Sequence, residues 1–145
     1  MNNMRTKIKN FNELTLLEYH QLMELRVSVF VVEQNCPYQE IDDIDLTAFH
    51  FWLENQNDML AYARVYQKQQ KIHFGRVLVK KEERKKGLGK QLIQQLIEWI
   101  ERRFPEKTIY IEAQAYLREF YTNFGFQVVS EKYLLDGISH IDMQK

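Results

Sequence analysis

The sequence predicts one α/β domain across residues 1–145, built on a central mixed, mostly antiparallel sheet of about six to seven strands flanked by about four helices. Three observations predict it. Residues 74–104, FGRVLVKKEERKKGLGKQLIQQLIEWIERRF, read as a short apolar strand, a basic glycine-containing turn and a long amphipathic helix. Residues 48–79 hold alternating segments joined by short polar turns, the pattern of an antiparallel meander. Residues 108–113 form an apolar strand after the helix, which makes a βαβ unit with the strand before it.

The elements follow in order. Residues 4–10 read as a short first strand. Thr15-Leu16-Leu17-Glu18 is a capping box that starts a helix, and Leu17, Leu22, Leu25, Val29 and Phe30 carry it towards Val31. Pro37 and the acids between Glu40 and Asp45 then break regular structure, leaving a loop with room for one helical turn. Residues 48–54 and 59–67 alternate as strands around Asn55-Gln56-Asn57-Asp58, and residues 67–71 turn into a third strand over 72–79. Leu88, Leu92, Leu96 and Ile100 recur at four-residue steps with Ile93, Ile97 and Trp99 beside them, a wide apolar stripe that Pro105 ends. Residues 116–124 read as a short helix stopped by Gly125. Residues 127–133 and 138–143 read as a last hairpin around Asp136-Gly137.

Composition bounds the function. Hydrophobic residues make up 45% of the chain and aromatic residues 13%, enough for a packed core. Lysine plus arginine numbers 20 and aspartate plus glutamate 20, so no global field draws the chain to nucleic acid or to an anionic membrane. Charge is uneven locally. Residues 80–90 carry six basic side chains against Glu82 and Glu83, while residues 33–45 carry five acids and no base. Cys36 is the one cysteine, which leaves no intrachain disulfide and suits a reducing compartment. Residues 1–11 lack the apolar run of a signal peptide, and no stretch reaches membrane-spanning length. A soluble cytoplasmic protein is the expectation.

The chemistry concentrates at residues 84–90. A glycine-containing turn that opens a helix presents unbonded N–H groups and the positive end of a dipole, which suits phosphate. Gly87 and Gly89 permit close approach, and Arg84, Lys85, Lys86 and Lys90 add positive charge. A P-loop is excluded, because Gln91 follows Lys90 where serine or threonine is required and no earlier glycine stands at the right spacing. A dinucleotide fingerprint is excluded, because Leu92 stands three residues after Gly89. The bland alternative is a solvated charge run ahead of an ordinary helix.

Arg84-x-x-Gly87-x-Gly89, directly after Val77-Leu78-Val79, resembles the coenzyme A motif of the GNAT acetyltransferases, (Gln/Arg)-x-x-Gly-x-(Gly/Ala). The order of elements is that family's order. Ala113-Gln114-Ala115 followed by Phe120-Tyr121-Thr122-Asn123-Phe124-Gly125-Phe126 resembles its second motif. The run LRVSVFVVEQNCPY at 25–38, the acids at 40–45, His50, Asp136-Gly137-Ile138 and His140 are similar to the ElaA branch. The resemblance implies an acyltransferase that uses acetyl-CoA as co-substrate and adds an acetyl group to an amine.

It also implies roles. Val77, Leu78 and Val79 would supply a main-chain oxyanion donor, and residues 84–90, Leu88 included, would hold coenzyme A. Tyr121 takes the place of the family's tyrosine general acid, since a phenol of ordinary pKa near 10 stays protonated and can donate to a departing thiolate. The alternative for Tyr121 is an amphipathic aromatic on a short helix. Glu33, Glu112 and His50 are candidate general bases, against plain loop and strand carboxylates and, for His50 as for His140, a hydrogen-bonded core histidine, and ordered water can replace a single base. Phe30, Glu33 and His50 are candidate acceptor-binding residues.

The histidines at 20, 50, 73 and 140 lack metal spacing, so no metal is expected. Cys36 reads first as a packing residue and second as an acceptor-site thiol. The acids of 33–45 border the acceptor side by resemblance, which predicts an acceptor that arrives positively charged, a small molecule or a peptide amine; the alternatives are plain solvated charge and pairing of some acids with Arg26 or Arg64. A coenzyme A-binding module without turnover is the competing function. A nucleic-acid patch at 80–90 is disfavoured by the absence of interleaved aromatics. Monomer and homodimer are both open.

Overall fold

Alternation of apolar side chains lays out the sheet, and short left-handed turns connect it. The computed structural model describes residues 4–35 and 39–145, so Cys36 lies outside the described residues. Strands β1 (Met4–Asn10), β2 (Phe49–Asn55), β3 (Asp58–Lys68) and β4 (Lys71–Val79) run antiparallel in sequence order. The β2–β3 turn places Gln56 and Asn57 at φ 50 and 67, and the β3–β4 turn places Gln69 and Gln70 at φ 52 and 64. Two successive positive-φ residues are the mark of a type I′ hairpin, whose twist matches that of the strands it joins.

Strand β5 (Ile109–Gln114) lies parallel to β4, and β8 (Ile138–Gln144) lies antiparallel to β5. The expected single strand over 127–133 is split into β6 (Gln127–Val128) and β7 (Tyr133–Leu135), which pair with opposite ends of β8. The sheet therefore has eight strands rather than six or seven. The split has a local cause. The Asp142 N–H donates to Ser130 Oγ at 2.9 Å, so a serine hydroxyl stands in for the next rung of the ladder.

Helices cover both faces. Thr15 accepts from the Glu18 N–H, and the Glu18 carboxylate accepts from the Thr15 N–H, so the capping box starts α1 (Leu16–Arg26) as the sequence predicts. The helix continues as a π-helical turn over Val27–Glu33, shown by the Gln34 N–H bonding the Val29 carbonyl at 3.2 Å. Helix α2 (Ile44–Thr47) is the one turn expected in the acidic loop. Helices α3 (Leu88–Arg103) and α4 (Arg118–Thr122) cover the other face.

On that face, Leu92, Ile93, Leu96, Ile97 and Ile100 of α3 pack on Phe51, Leu53, Ala61, Ala63 and Val65. On the α1 face, Leu22, Val29 and Phe30 pack on Trp52, Tyr62 and Leu78. Among the described residues no helix is long and apolar enough to cross a membrane.

Leu96 is fully buried between α3 and the sheet. Leu96→Ala should lower unfolding free energy by about 2–5 kcal/mol through lost burial and a residual cavity, read as a lowered urea midpoint with an unchanged slope.

Candidate functional site

Strands β4 and β5 pair only at Ile72–Ile109 and His73–Tyr110. Beyond that point β4 turns away, because its register against β3 slips between Tyr62 and Arg64. Tyr62 opposes Leu78 and Arg64 opposes Gly75, so Arg76 and Val77 together face Ala63. Arg76 holds φ 51, a left-handed conformation that costs a residue with a side chain about 1–2 kcal/mol. The bulge also reverses side-chain parity. Ile72 and Phe74 face the α3 side before it, and Val77 and Val79 face that side after it.

The parted strands open a cleft of about 670 Å³. It follows β4 from His73 to Val79, reaches Arg84 and Gly89, and is walled by Ile111 to Gln114 on the β5 side. The end at Arg84 and Gly89 has the makings of an anion cradle. Gly87 sits at φ 80 as the residue before α3, and no side chain caps that helix. The first-turn N–H groups therefore have no intrahelical partner and no capping oxygen. Nothing lies within 4 Å of where a Gly87 Cβ would stand, and at Gly89 the nearest atom is Val79 Cγ2 at 3.6 Å. Open space and a left-handed backbone are what a phosphate lying against main chain requires.

The predicted cradle residues are thus placed together on one turn. Leu88 turns its side chain into the core and offers only its backbone. Lys85 and Lys90 are exposed, whereas Lys86 meets Glu83 at 2.8 Å. Arg84 donates to the Val79 carbonyl at 3.0 Å and grips both oxygens of Glu33 at 2.9 and 3.2 Å.

The opposite wall comes from the π-helical turn, which brings Val29, Phe30 and Glu33 to the cleft. Tyr121 lines the cleft from α4 with 4% exposure, ringed by Phe74, Phe120 and Phe126 at centroid distances of 5.1–6.1 Å. Burial pushes its phenol well above the usual value, with the Tyr116 phenol adding to the effect, so the proton stays on. Glu112 is exposed on the cleft wall and forms no ion pair among the described residues. His73 and His140 also line the cleft.

Two expectations are corrected. His50 does not reach the cleft. It is fully buried, its Nε2 donates to the Asp45 carbonyl at 3.0 Å, and its Nδ1 accepts from the Tyr62 hydroxyl at 2.6 Å. That carbonyl can only accept, which fixes the tautomer. The acids of 33–45 are not uncompensated either. Arg26, wholly buried, pairs with Glu40 at 2.6 Å and with Asp45 at 2.7 Å. Arg64 pairs with Asp42 at 2.6 Å and Asp45 at 2.9 Å, and Arg76 with Glu40 at 2.9 Å. Burial would raise the Asp45 carboxyl, but the Arg26 and Arg64 guanidiniums hold it below the usual carboxylate range. With Glu33 held by Arg84, four of the five carboxylates meet an arginine, and the acidic mouth loses its electrostatic basis.

Arg64, Arg76 and Gln114 line the cleft without having been given a site role from sequence, although Gln114 lies in the second motif. For Arg76 the signal was present in IHFGRVLV, where apolar alternation at 72 and 74 resumes out of phase at 77 and 79. That phase break marks a bulge.

Comparison with known proteins agrees with this architecture. Residues 18–145 match the family profile described as an acetyltransferase (GNAT) domain. The chain is 42% identical over 147 residues to a UPF0039 protein of Schizosaccharomyces pombe, covering 99% of this chain and 98% of the relative. It is 40% identical over 139 residues to the protein ElaA of Escherichia coli, covering 92% and 91%. The crystal structure of an acyl-CoA N-acyltransferase from Pseudomonas aeruginosa superposes with a TM-score of 0.93 at 37% identity, covering 98% of this chain and 99% of that one. The crystal structure of Escherichia coli ElaA gives the same TM-score and identity.

The buried imidazole predicts a pH dependence. Burial lowers the His50 value below its ordinary 6.5, the nearby Arg26 and Arg64 charges adding to it despite Asp45. The unfolded chain then binds the proton more readily than the folded one. Stability from this group is complete above pH 6.5 and declines as pH falls below it. Urea midpoints measured between about pH 8 and pH 5 should fall on the acid side, and His50→Gln should flatten part of that fall.

Proposed function

The chain belongs to the GNAT acetyltransferase family, in its ElaA-like branch, and from that premise we propose that it transfers an acetyl group from acetyl-CoA to a primary amine by direct attack in a ternary complex. The observation that carries this reading is the continuity of one trough. The uncapped α3 N-terminus at Gly89, the edge of β4 that leaves β5 and the buried Tyr121 all border the same cleft.

Acyl transfer needs a positioned thioester, a neutral amine, a donor for the carbonyl oxygen and a proton for the departing sulfur. When bound, acetyl-CoA supplies the activated acyl group. The N–H groups at the start of α3, with Lys85 and Lys90 beside them, would hold its pyrophosphate, and residues 77–79 would orient its thioester arm through main chain. A main-chain N–H of that same stretch is the proposed carbonyl donor. Tyr121 keeps its proton in an aromatic pocket and hands it to the sulfur. Glu112 accepts the amine proton, directly or through water, since Glu33 is engaged by Arg84. The acceptor we propose is the amine of a small molecule or a peptide, entering between the π-helical turn and the β5 wall.

Release of coenzyme A thiol from acetyl-CoA, followed across neutral, anionic and cationic amines, tests the reading. Binding of acetyl-CoA without thiol release for any amine would leave a binding module and sink the enzyme. Gly89→Glu should abolish acetyl-CoA binding in calorimetry while the fold survives, because a carboxylate there blocks and repels pyrophosphate. Tyr121→Phe should lower kcat by roughly ten- to a thousandfold with little change in acetyl-CoA affinity.

A further inference from the structure

We propose that Glu40, a residue outside the cleft, sets the conformation of the cleft-facing β4 main chain by latching Arg76, and so acts as a positioning residue for transfer. The kinetic part of this inference rests on the acyl-transfer reading above, and the conformational part does not.

Glu40 lies between the π-helical turn and α2, is 5% exposed, and is absent from the cleft lining. Its carboxylate Oε2 accepts from Arg26 Nε at 2.6 Å and from Arg76 Nε at 2.9 Å. Its carbonyl oxygen accepts from Arg26 Nη2 at 3.0 Å and from Arg76 Nη2 at 3.2 Å. Two guanidiniums therefore read the same pair of acceptors on one residue. They are not equivalent. Arg26 is wholly buried and is also clamped by both oxygens of Asp45, at 2.7 and 3.1 Å. Arg26 anchors Glu40, and Glu40 in turn restrains Arg76.

Arg76 is the residue whose positive φ makes the β4 bulge, with Asp42 as a more distant partner at 3.5 Å. An arginine in ordinary extended conformation there would let β4 re-register on β3. Val77 and Val79 would then return to the opposite face, and the main-chain groups beside the cleft would swing with them. Two charge-assisted hydrogen bonds in a partly buried site oppose that relaxation. The carboxylate thus acts on the cleft through Arg76, its one bonded partner in the cleft lining, and through the strand geometry that Arg76 holds.

The test uses the full chain and the variants Arg76→Gly, Arg76→Lys and Glu40→Gln. Arg76→Gly is informative because glycine accepts positive φ without strain, so the backbone is spared while the side chain's bonds to Glu40 and its longer contact with Asp42 are lost. Backbone amide hydrogen exchange over 74–79 should quicken about tenfold or more in Arg76→Gly and Glu40→Gln, with α3 amides unchanged. Arg76→Lys should give an intermediate rate, because one ammonium replaces a fork. With a competent amine, kcat should fall about ten- to a hundredfold while the acetyl-CoA KM stays within about twofold, the pattern of misplaced reacting groups. Unchanged exchange over 74–79 in Arg76→Gly overturns the latch even if Glu40→Gln fails to fold. Faster exchange with unchanged kcat overturns the positioning role. A wild-type chain that transfers nothing to any amine refutes the positioning role together with the acyl-transfer reading, and the exchange data still decide the latch.

Discussion

The separation of β4 from β5 governs this molecule. Two parallel strands that pair at Ile72–Ile109 and His73–Tyr110 and then diverge leave polar main-chain edges without strand partners inside a folded domain. Buried N–H and C=O groups are costly unless they are satisfied, so such a gap persists only where the surrounding structure enforces it and something can use it. Enforcement comes from the β3 side. The slip between Tyr62 and Arg64 turns β4 outward, and the packing of Leu78 against α1 with Val77 and Val79 against α3 fixes the turned strand on both faces.

The charges under α1 belong to the same device. Arg26, Arg64, Glu40 and Asp45 are almost wholly removed from water, which is expensive for each ion taken alone. Shared acceptors make the arrangement tolerable. Asp45 serves Arg26 and Arg64, and Glu40 serves Arg26 and Arg76. Removing one member would leave its partners with one counter-charge instead of two, which weakens the network without stranding a bare ion. His50 and Tyr62 extend the network in neutral form, which keeps further charge out of that interior. The acidic stretch thus works as counter-charge for arginines that rise from α1, β3 and β4, and it ties all three to one segment.

The cleft is chemically divided along its length. At the α3 end it offers Gly89 and the main-chain N–H groups of an uncapped helix, a chemistry that suits an anion. Past Tyr121 it offers side chains of mixed kind, namely Glu112, His73, His140 and Phe30. A generic end and a particular end suit a reaction in which one substrate is common and the other is selected. The Arg84–Glu33 pair joins the cradle turn to the π-helical wall.

What the sequence by itself determined is what local physics dictates. The capping box at Thr15, the apolar stripe from Leu88 to Ile100, the hairpin turns at Gln56-Asn57 and Asp136-Gly137, and the glycine turn before α3 each depend on residues within a few positions of one another. Periodicity and turn chemistry therefore reach them directly. The geometry of the turn over 84–90 was legible for the same reason, because it is one contiguous segment. Only the tertiary structure decided the rest. Whether the acids of 33–45 stand free or pair with Arg26 and Arg64 stayed open in the sequence, and the pairing with Arg76 was invisible there, because these arginines come to them from distant elements. His50 read as a hydrogen-bonded core histidine or as a site residue, and its strand position could not choose between them because its partners lie across the sheet and in the acidic loop. The π-helical turn that carries Phe30 and Glu33 to the cleft, and the bulge at Arg76 that opens it, arise from long-range packing and register. Those are properties of how segments meet, and no segment contains them alone.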